Sequence, residues 1–130
     1  MKNFAQLIAL ARRNATENEW VTNMSTEEAV QQYLNGLHDE VVEVQAEARE
    51  NNSVHLEDEL SDIAWDYAAL LAICEDRGLI TSAESVFAHA SKKYSERQPA
   101  FLAADHDLWK GIKDTQKAEL KKRHKERYGE

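Results

Sequence analysis

Little in this chain would break a helix or staple a small secreted scaffold. Its 130 residues include one proline, four glycines and one cysteine. Scarce breakers leave long helices uninterrupted. A lone Cys74 excludes an internal disulfide and suits a reducing compartment. The sequence holds no run of about 18 apolar residues, the length that a membrane-spanning helix needs. The opening MKNFAQLIALARRN has an apolar patch too short and polar for a secretory signal, and it lacks a cleavage site. No period-two alternation marks a strand, and no glycine-rich loop is built to cradle phosphate. His38, His55, His89, His106 and His124 are scattered without metal-ligand spacing, which argues against zinc and against a Ser-His-Asp arrangement. Cys74 falls on an apolar stripe and is expected to be buried and inert. These absences lead us to expect one all-α domain over residues 1–130, in the cytoplasm.

Acid, by contrast, is abundant. The formal charge is −8, and residues 110–130 carry eight Lys/Arg against four Asp/Glu, so residues 1–109 hold −8 − 4 = −12. An acidic body argues against wrapping a nucleic acid. The basic tail at about 114–130 reads as a solvated helix end.

The acids are patterned. Leu37-x-x-Glu40-Val41-x-Glu43-Val44 recurs as Leu56-x-x-Glu59-Leu60-x-Asp62-Ile63. Each copy sets two acids three residues apart on the flank of an apolar stripe: Val30, Leu34, Leu37, Val41, Val44 and Ala48 in the first, Leu56, Leu60, Ile63, Tyr67, Leu70 and Cys74 in the second. Alternating steps of three and four are the pattern of a core-facing helix. Between the copies, Asn51-Asn52-Ser53 is a turn that favours an antiparallel pair. Glu43 then lies level with Glu59, and Glu40 with Asp62, in a rectangle about 4.5 Å along each helix and about 8–10 Å between axes. Four carboxylates so close repel unless a cation sits among them. Oxygen-only ligands suit a hard ion, Mg²⁺ or Mn²⁺. Asp66, a turn beyond Asp62, either supports these ligands or lies exposed.

Around this pair, Asn3-x-x-Gln6 is expected to cap a short first helix with Phe4, Leu7, Ile8 and Ala11 on its apolar face. Asn14–Asn23 reads as a polar loop whose Trp20 tucks against the core. The capping box Ser25-x-x-Glu28 opens a helix running to about Glu50, with Gly36 inside it. The next helix spans Ser53–Arg77 and stops at Gly78. Thr81-x-x-Glu84 caps a fourth, turning Val86, Phe87, Ala90 and Tyr94 inward and stopping at Gln98-Pro99. Residues Ala100–Asp105 link to a last helix carrying Leu108, Trp109 and Ile112. The expected architecture is an antiparallel four-helix core with the C-terminal helix added outside.

Asp39-Glu40-x-x-Glu43, fifteen residues, then Glu59-x-x-Asp62 resembles the EExxE…ExxD signature of the MazG-like nucleoside triphosphate pyrophosphohydrolases. Lys93-Tyr-Ser-Glu-Arg97-Gln-Pro99-Ala-Phe101 is similar to that family's K-x-x-x-R-H-P-x-V-F segment, and Trp109-Lys-Gly-Ile112-Lys113 to its W-x-x-I-K segment. Trp20 and Ser25-Thr26 echo the stretch ahead of the acids. The sequence departs from the family at Asp39, a glutamate there, and at Gln98, a histidine there. The resemblance implies Mg²⁺-dependent hydrolysis of a nucleoside or deoxynucleoside triphosphate between the α- and β-phosphates. It implies that Glu40, Glu43, Glu59 and Asp62 hold the metal, that Lys93 and Arg97 meet phosphate oxygens, and that Trp109 and Lys113 line the nucleotide site. Asp39 or Glu43 is expected to position or deprotonate the water. A homodimer or homotetramer is expected, from the resemblance and from the apolar residues of Phe4–Ala11 and Leu108–Ile112. The alternatives are a nucleotide-binding or protein-interaction module of the same fold without turnover, and a plain helical dimerisation domain.

Overall fold

The computed structural model describes residues 2–129, so Met1 and Glu130, the two ends of the expected domain and tail, lie outside the described residues. The described residues form six helices joined by short turns and contain no strand. The helices are α1 (Lys2–Glu17), α2 (Glu19–Thr22), α3 (Thr26–Glu47), α4 (Ser53–Asp76), α5 (Ala83–Leu102) and α6 (His106–Tyr128). They fall into two compact units that divide between Ala83 and Glu84.

In the first unit α3 and α4 pack along each other, and α1 packs on α4. The core joins Ile8, Ala11 and Ala15 of α1, Val21 of α2, Ala29 of α3, and Ala68, Ala72 and Ile73 of α4. Alanine at five of these eight places lets the helices approach closely, and Ile73 and Val21 fill the remaining volume. Arg12 donates through Nε and Nη2 to the Glu75 carboxylate, both at 2.9 Å, clamping α1 to α4. Arg77 donates to the Val21 and Met24 carbonyls and to Thr26 Oγ1, fastening the end of α4 to the α2–α3 connection.

The predicted loop at Asn14–Asn23 is instead the end of α1 and the whole of α2. Side chains supply what the sequence pattern concealed. The Asn18 side-chain amide donates to Asn14 Oδ1 and the Asn14 amide donates to the Tyr33 hydroxyl, each at 2.9 Å, while Asn18 Oδ1 caps α2 by accepting from the Trp20 N–H. Trp20 does not tuck in. It is 55 % exposed, edge-on to Tyr33, and Val21 takes the buried place.

The capping box at Ser25 and Glu28 forms as expected, Ser25 Oγ accepting from the Glu28 N–H at 3.1 Å. Helix α3 ends at Glu47, short of Glu50, because Asn52 donates to the Glu47 carbonyl at 2.8 Å and so takes up a terminal acceptor. Asn51 turns the chain in the left-handed region (φ 56°), which asparagine tolerates. The opposite end of α4 closes at Gly78 (φ 74°), with the Leu79 N–H reaching back to the Cys74 carbonyl. Cys74 is half-buried rather than buried. The two predicted core stripes are likewise only half inside. Leu34, Val41, Leu60 and Tyr67 are exposed, since the buried residues of α4 cluster at Ala68–Ile73, toward its C-terminus.

Helix α5 begins at Ala83, one residue later than a Thr81 cap implies, and in the second unit it runs through Pro99 to Leu102. The proline removes one N–H, yet the turn beyond it survives. Ala100 is buried, and the Ala103 and Asp105 N–H groups bond the carbonyls of Pro99 and Ala100. Phe87 and Tyr94 are exposed instead of inward. Asp105 caps α6 by accepting from the Leu108 N–H at 3.0 Å, and α6 continues without a break through the basic tail to Tyr128. Gln116 bridges the two helices, accepting from Arg97 Nε at 2.7 Å and donating to the Lys93 carbonyl at 3.0 Å.

Candidate functional site

Spacing of three residues puts Glu40 and Glu43 on one face of α3, and Glu59 and Asp62 on one face of α4. The antiparallel turn brings the two faces level. One carboxylate oxygen from each of the four lies within 4.8 Å of all the others. The side chains therefore lean inward from the helix frame onto one point. Glu40 Oε2 and Glu59 Oε2 are buried and lack a hydrogen-bond partner. An acceptor oxygen without a hydrogen-bond partner is suited to an external electron-pair acceptor.

The electrostatics agree. Burial pushes the Glu40 carboxyl up to about 7, helped by hydrogen bonding with Glu43 and by the charges of Glu43, Asp62 and Asp66. Glu59 is also raised, first by hydrogen bonding with Glu43, then by burial and by Glu43, Asp62 and Asp58. Glu43 is thus the hub that crowds both neighbours. A cation between them would remove the penalty. Four oxygen donors and no nitrogen or sulfur form a set for a hard divalent ion. The residues present fit such an ion.

Asp39 precedes Glu40 on α3 and is exposed, outside the four-oxygen cluster. Asp66 is half-buried, its carboxyl raised by burial and then by Asp62. It lies against Gly36, where an added Cβ would stand 2.9 Å from Asp66 Oδ2. Gly36 thus makes room for an acid beside the cluster, a pairing across helices that sequence spacing does not reveal.

The remaining predicted residues lie in the second unit. Arg97 is buried in α5, with Nε held by Gln116 and its guanidinium 5.6 Å from the Tyr94 ring centroid. Lys93 Nζ lies over the same ring at 5.7 Å. On α6, Lys113 Nζ stands 4.7 Å over the Trp109 ring, which also stacks on His106 at 5.4 Å. Gln116, which organises Arg97, was not singled out in the sequence. Nothing in its spacing distinguishes it from a surface glutamine.

An all-α chain with a four-carboxylate cluster on an antiparallel helix pair defines a class of acidic, metal-suited helical domains. The model of the MazG nucleotide pyrophosphohydrolase domain matches residues 28–102, more than half of the chain. The chain belongs to the MazG nucleotide pyrophosphohydrolase domain family. The matched span holds all four clustered acids together with Lys93 and Arg97, while Trp109 and Lys113 fall beyond it. No curated protein and no solved structure matches the chain. No helix among the described residues is long and apolar enough to cross a membrane.

Proposed function

We propose that the protein is a Mg²⁺-dependent nucleoside triphosphate pyrophosphohydrolase, which Mn²⁺ also serves, cleaving a ribo- or deoxyribonucleotide between the α- and β-phosphates. One observation carries this reading beyond family membership. Glu40 and Glu59 each hold a buried, partnerless oxygen where four carboxylates converge. Glu40, Glu43, Glu59 and Asp62 hold the ion in this reading. When bound, the ion neutralises triphosphate charge and lowers the pKa of a coordinated water. Asp39 or Glu43 orients that water or takes its proton. Lys93 and Arg97 donate to phosphate oxygens, Arg97 through Nη atoms that bond no described residue. Trp109 and Lys113 contact the nucleotide. No protein nucleophile is required, which suits a Cys74 thiol pushed up by burial. Residues 1–130 act as one catalytic domain in this reading, and the exposed Leu34, Val41, Leu60 and Tyr67 supply a face for a second copy in a homodimer or homotetramer.

The test is a panel of NTPs and dNTPs with Mg²⁺, scored for pyrophosphate against orthophosphate. Metal-dependent pyrophosphate from at least one member is the expected result. Nucleotide binding without release would instead favour a module that kept the fold and lost turnover.

A further inference from the structure

Helix α6 buries none of its residues, and along α5 beyond Ala83 only Arg97 and Ala100 are buried. Helices in proteins draw most of their stability from packing an apolar face, so a hairpin with so little inside calls for a covering surface. Between the two helices runs an open groove. Near the α5–α6 turn it is lined by Leu108, Gly111 and Ile112, and farther along Leu120 supplies the apolar surface. Lys92, Lys117 and Arg123 line that farther stretch, and none of them forms an ion pair with a described residue. An apolar end and a cationic end suit an acidic amphipathic helix laid along the groove.

Gly111 supplies an independent observation. It lies inside α6, where glycine is the poorest helix former after proline. A Cβ added there would meet nothing within 4 Å. Gly36 has its reason in Asp66 of a neighbouring helix, whereas no group of this chain crowds Gly111. A glycine that faces a groove lets another backbone approach closely, and Thr115, one turn on, keeps the same stretch small.

The chain itself holds a helix of the required chemistry. Helix α3 carries six Asp/Glu and no Lys/Arg, packs along α4, and leaves Leu34, Val41 and Val42 exposed. Residues 1–83 hold sixteen Asp/Glu against five Lys/Arg, and residues 84–130 hold eleven Lys/Arg against eight Asp/Glu. Two cationic grooves repel each other, while a cationic groove and an acidic helix attract. We infer that the α5–α6 groove is the docking site for α3 of a second copy of this chain. The docked backbone passes Gly111, its apolar side chains meet Leu108, Ile112 and Leu120, and its carboxylates meet Lys92, Lys117 and Arg123. The inference rests on the homo-oligomer of the proposed function and names the surface that the exposed side of α3 meets.

Sedimentation equilibrium of the full-length protein at micromolar concentration in EDTA reads the association. The chain is compared with Gly111→Leu, which fills the groove with a good helix former, and with K117E/R123E. A control, K121E/K122E, reverses equal charge on α6 away from the groove lining, and V41E/V42E alters α3. Circular dichroism checks that each is folded. A mass above the monomer is expected for the unaltered chain. The dissociation constant should rise at least about tenfold in Gly111→Leu, K117E/R123E and V41E/V42E, and little in K121E/K122E. High salt should also weaken the association. A monomer at every concentration would overturn the inference. So would an equal loss in the two charge variants on α6, or unchanged association in Gly111→Leu or in V41E/V42E. Pyrophosphate release by a monomeric chain would remove this inference and leave the activity standing, while groove-dependent association without release would do the reverse.

Discussion

Gly36→Ala separates two effects of opposite sign. Inside a helix alanine is favoured over glycine by about 1 kcal/mol, so a free site on α3 would gain that much. Here the new Cβ would stand 2.9 Å from Asp66 Oδ2, and 3.5 Å from its carboxyl carbon. The short Asp66 side chain must rotate to escape, and leaving its rotamer by about 30° costs about 0.5–1.5 kcal/mol. The two terms nearly cancel, so Gly36→Ala alone is expected to change stability by less than about 0.5 kcal/mol. In an Asp66→Ala background the clash is gone and the full gain of about 1 kcal/mol should appear. Urea unfolding followed by circular dichroism, run as a double-mutant cycle in EDTA, reads the difference directly. An equal gain in both backgrounds would show that Gly36 does not accommodate Asp66.

Other outcomes follow from the same contacts. The raised Glu40 carboxyl, with Glu59 and Asp66 raised alongside, contributes stability that is complete below the ordinary carboxylate value and lost as pH climbs through about 7. The metal-free protein should therefore melt lower at about pH 8 than at about pH 5.5, and Mg²⁺ should raise the melting temperature most at the higher pH; a flat profile by differential scanning calorimetry contradicts the crowded cluster. Ile73→Ala empties a fully buried site in α4 and should cost about 2–5 kcal/mol in urea unfolding; a loss below about 1 kcal/mol would mean that the core closes over the gap. Arg97→Gln should lower kcat/KM at least about a hundredfold, close to 2.7 kcal/mol of transition-state stabilisation. Unchanged kinetics with lowered stability would make Arg97 a structural partner of Gln116 alone.

Legibility in the sequence followed how local each signal was. The acid pairs and their turn could be read because the octad repeats and because helical spacing fixes which residues share a face. The capping box at Ser25 and the stop at Gly78 depend on a few adjacent residues and were readable for that reason. The continuation of α1 past Asn14 was not, because its polar side chains are satisfied by Tyr33, nineteen residues away, and by each other. Pro99 inside α5 misled for a related reason, since the next turn is retained by the buried Ala100. The stripes on α3 and α4 had the right period, but periodicity reports a face and not what covers it. Leu34, Val41, Leu60 and Tyr67 consequently read as core and are exposed. The closeness of Gly36 to Asp66 and the bridge from Gln116 to Arg97 join different helices, and no local pattern encodes them.

The central claim is that the four acids make the chain a metal-dependent pyrophosphohydrolase. Phosphorus NMR of a turning-over reaction, for the unaltered protein and Glu59→Gln, tests it most directly. The account predicts nucleoside monophosphate and pyrophosphate as the only products, formed with Mg²⁺, abolished by EDTA, and lost in Glu59→Gln while its circular dichroism is unchanged. Nucleoside diphosphate with orthophosphate, or activity in Glu59→Gln above about a tenth of the original, a barrier change under about 1.4 kcal/mol, would contradict it.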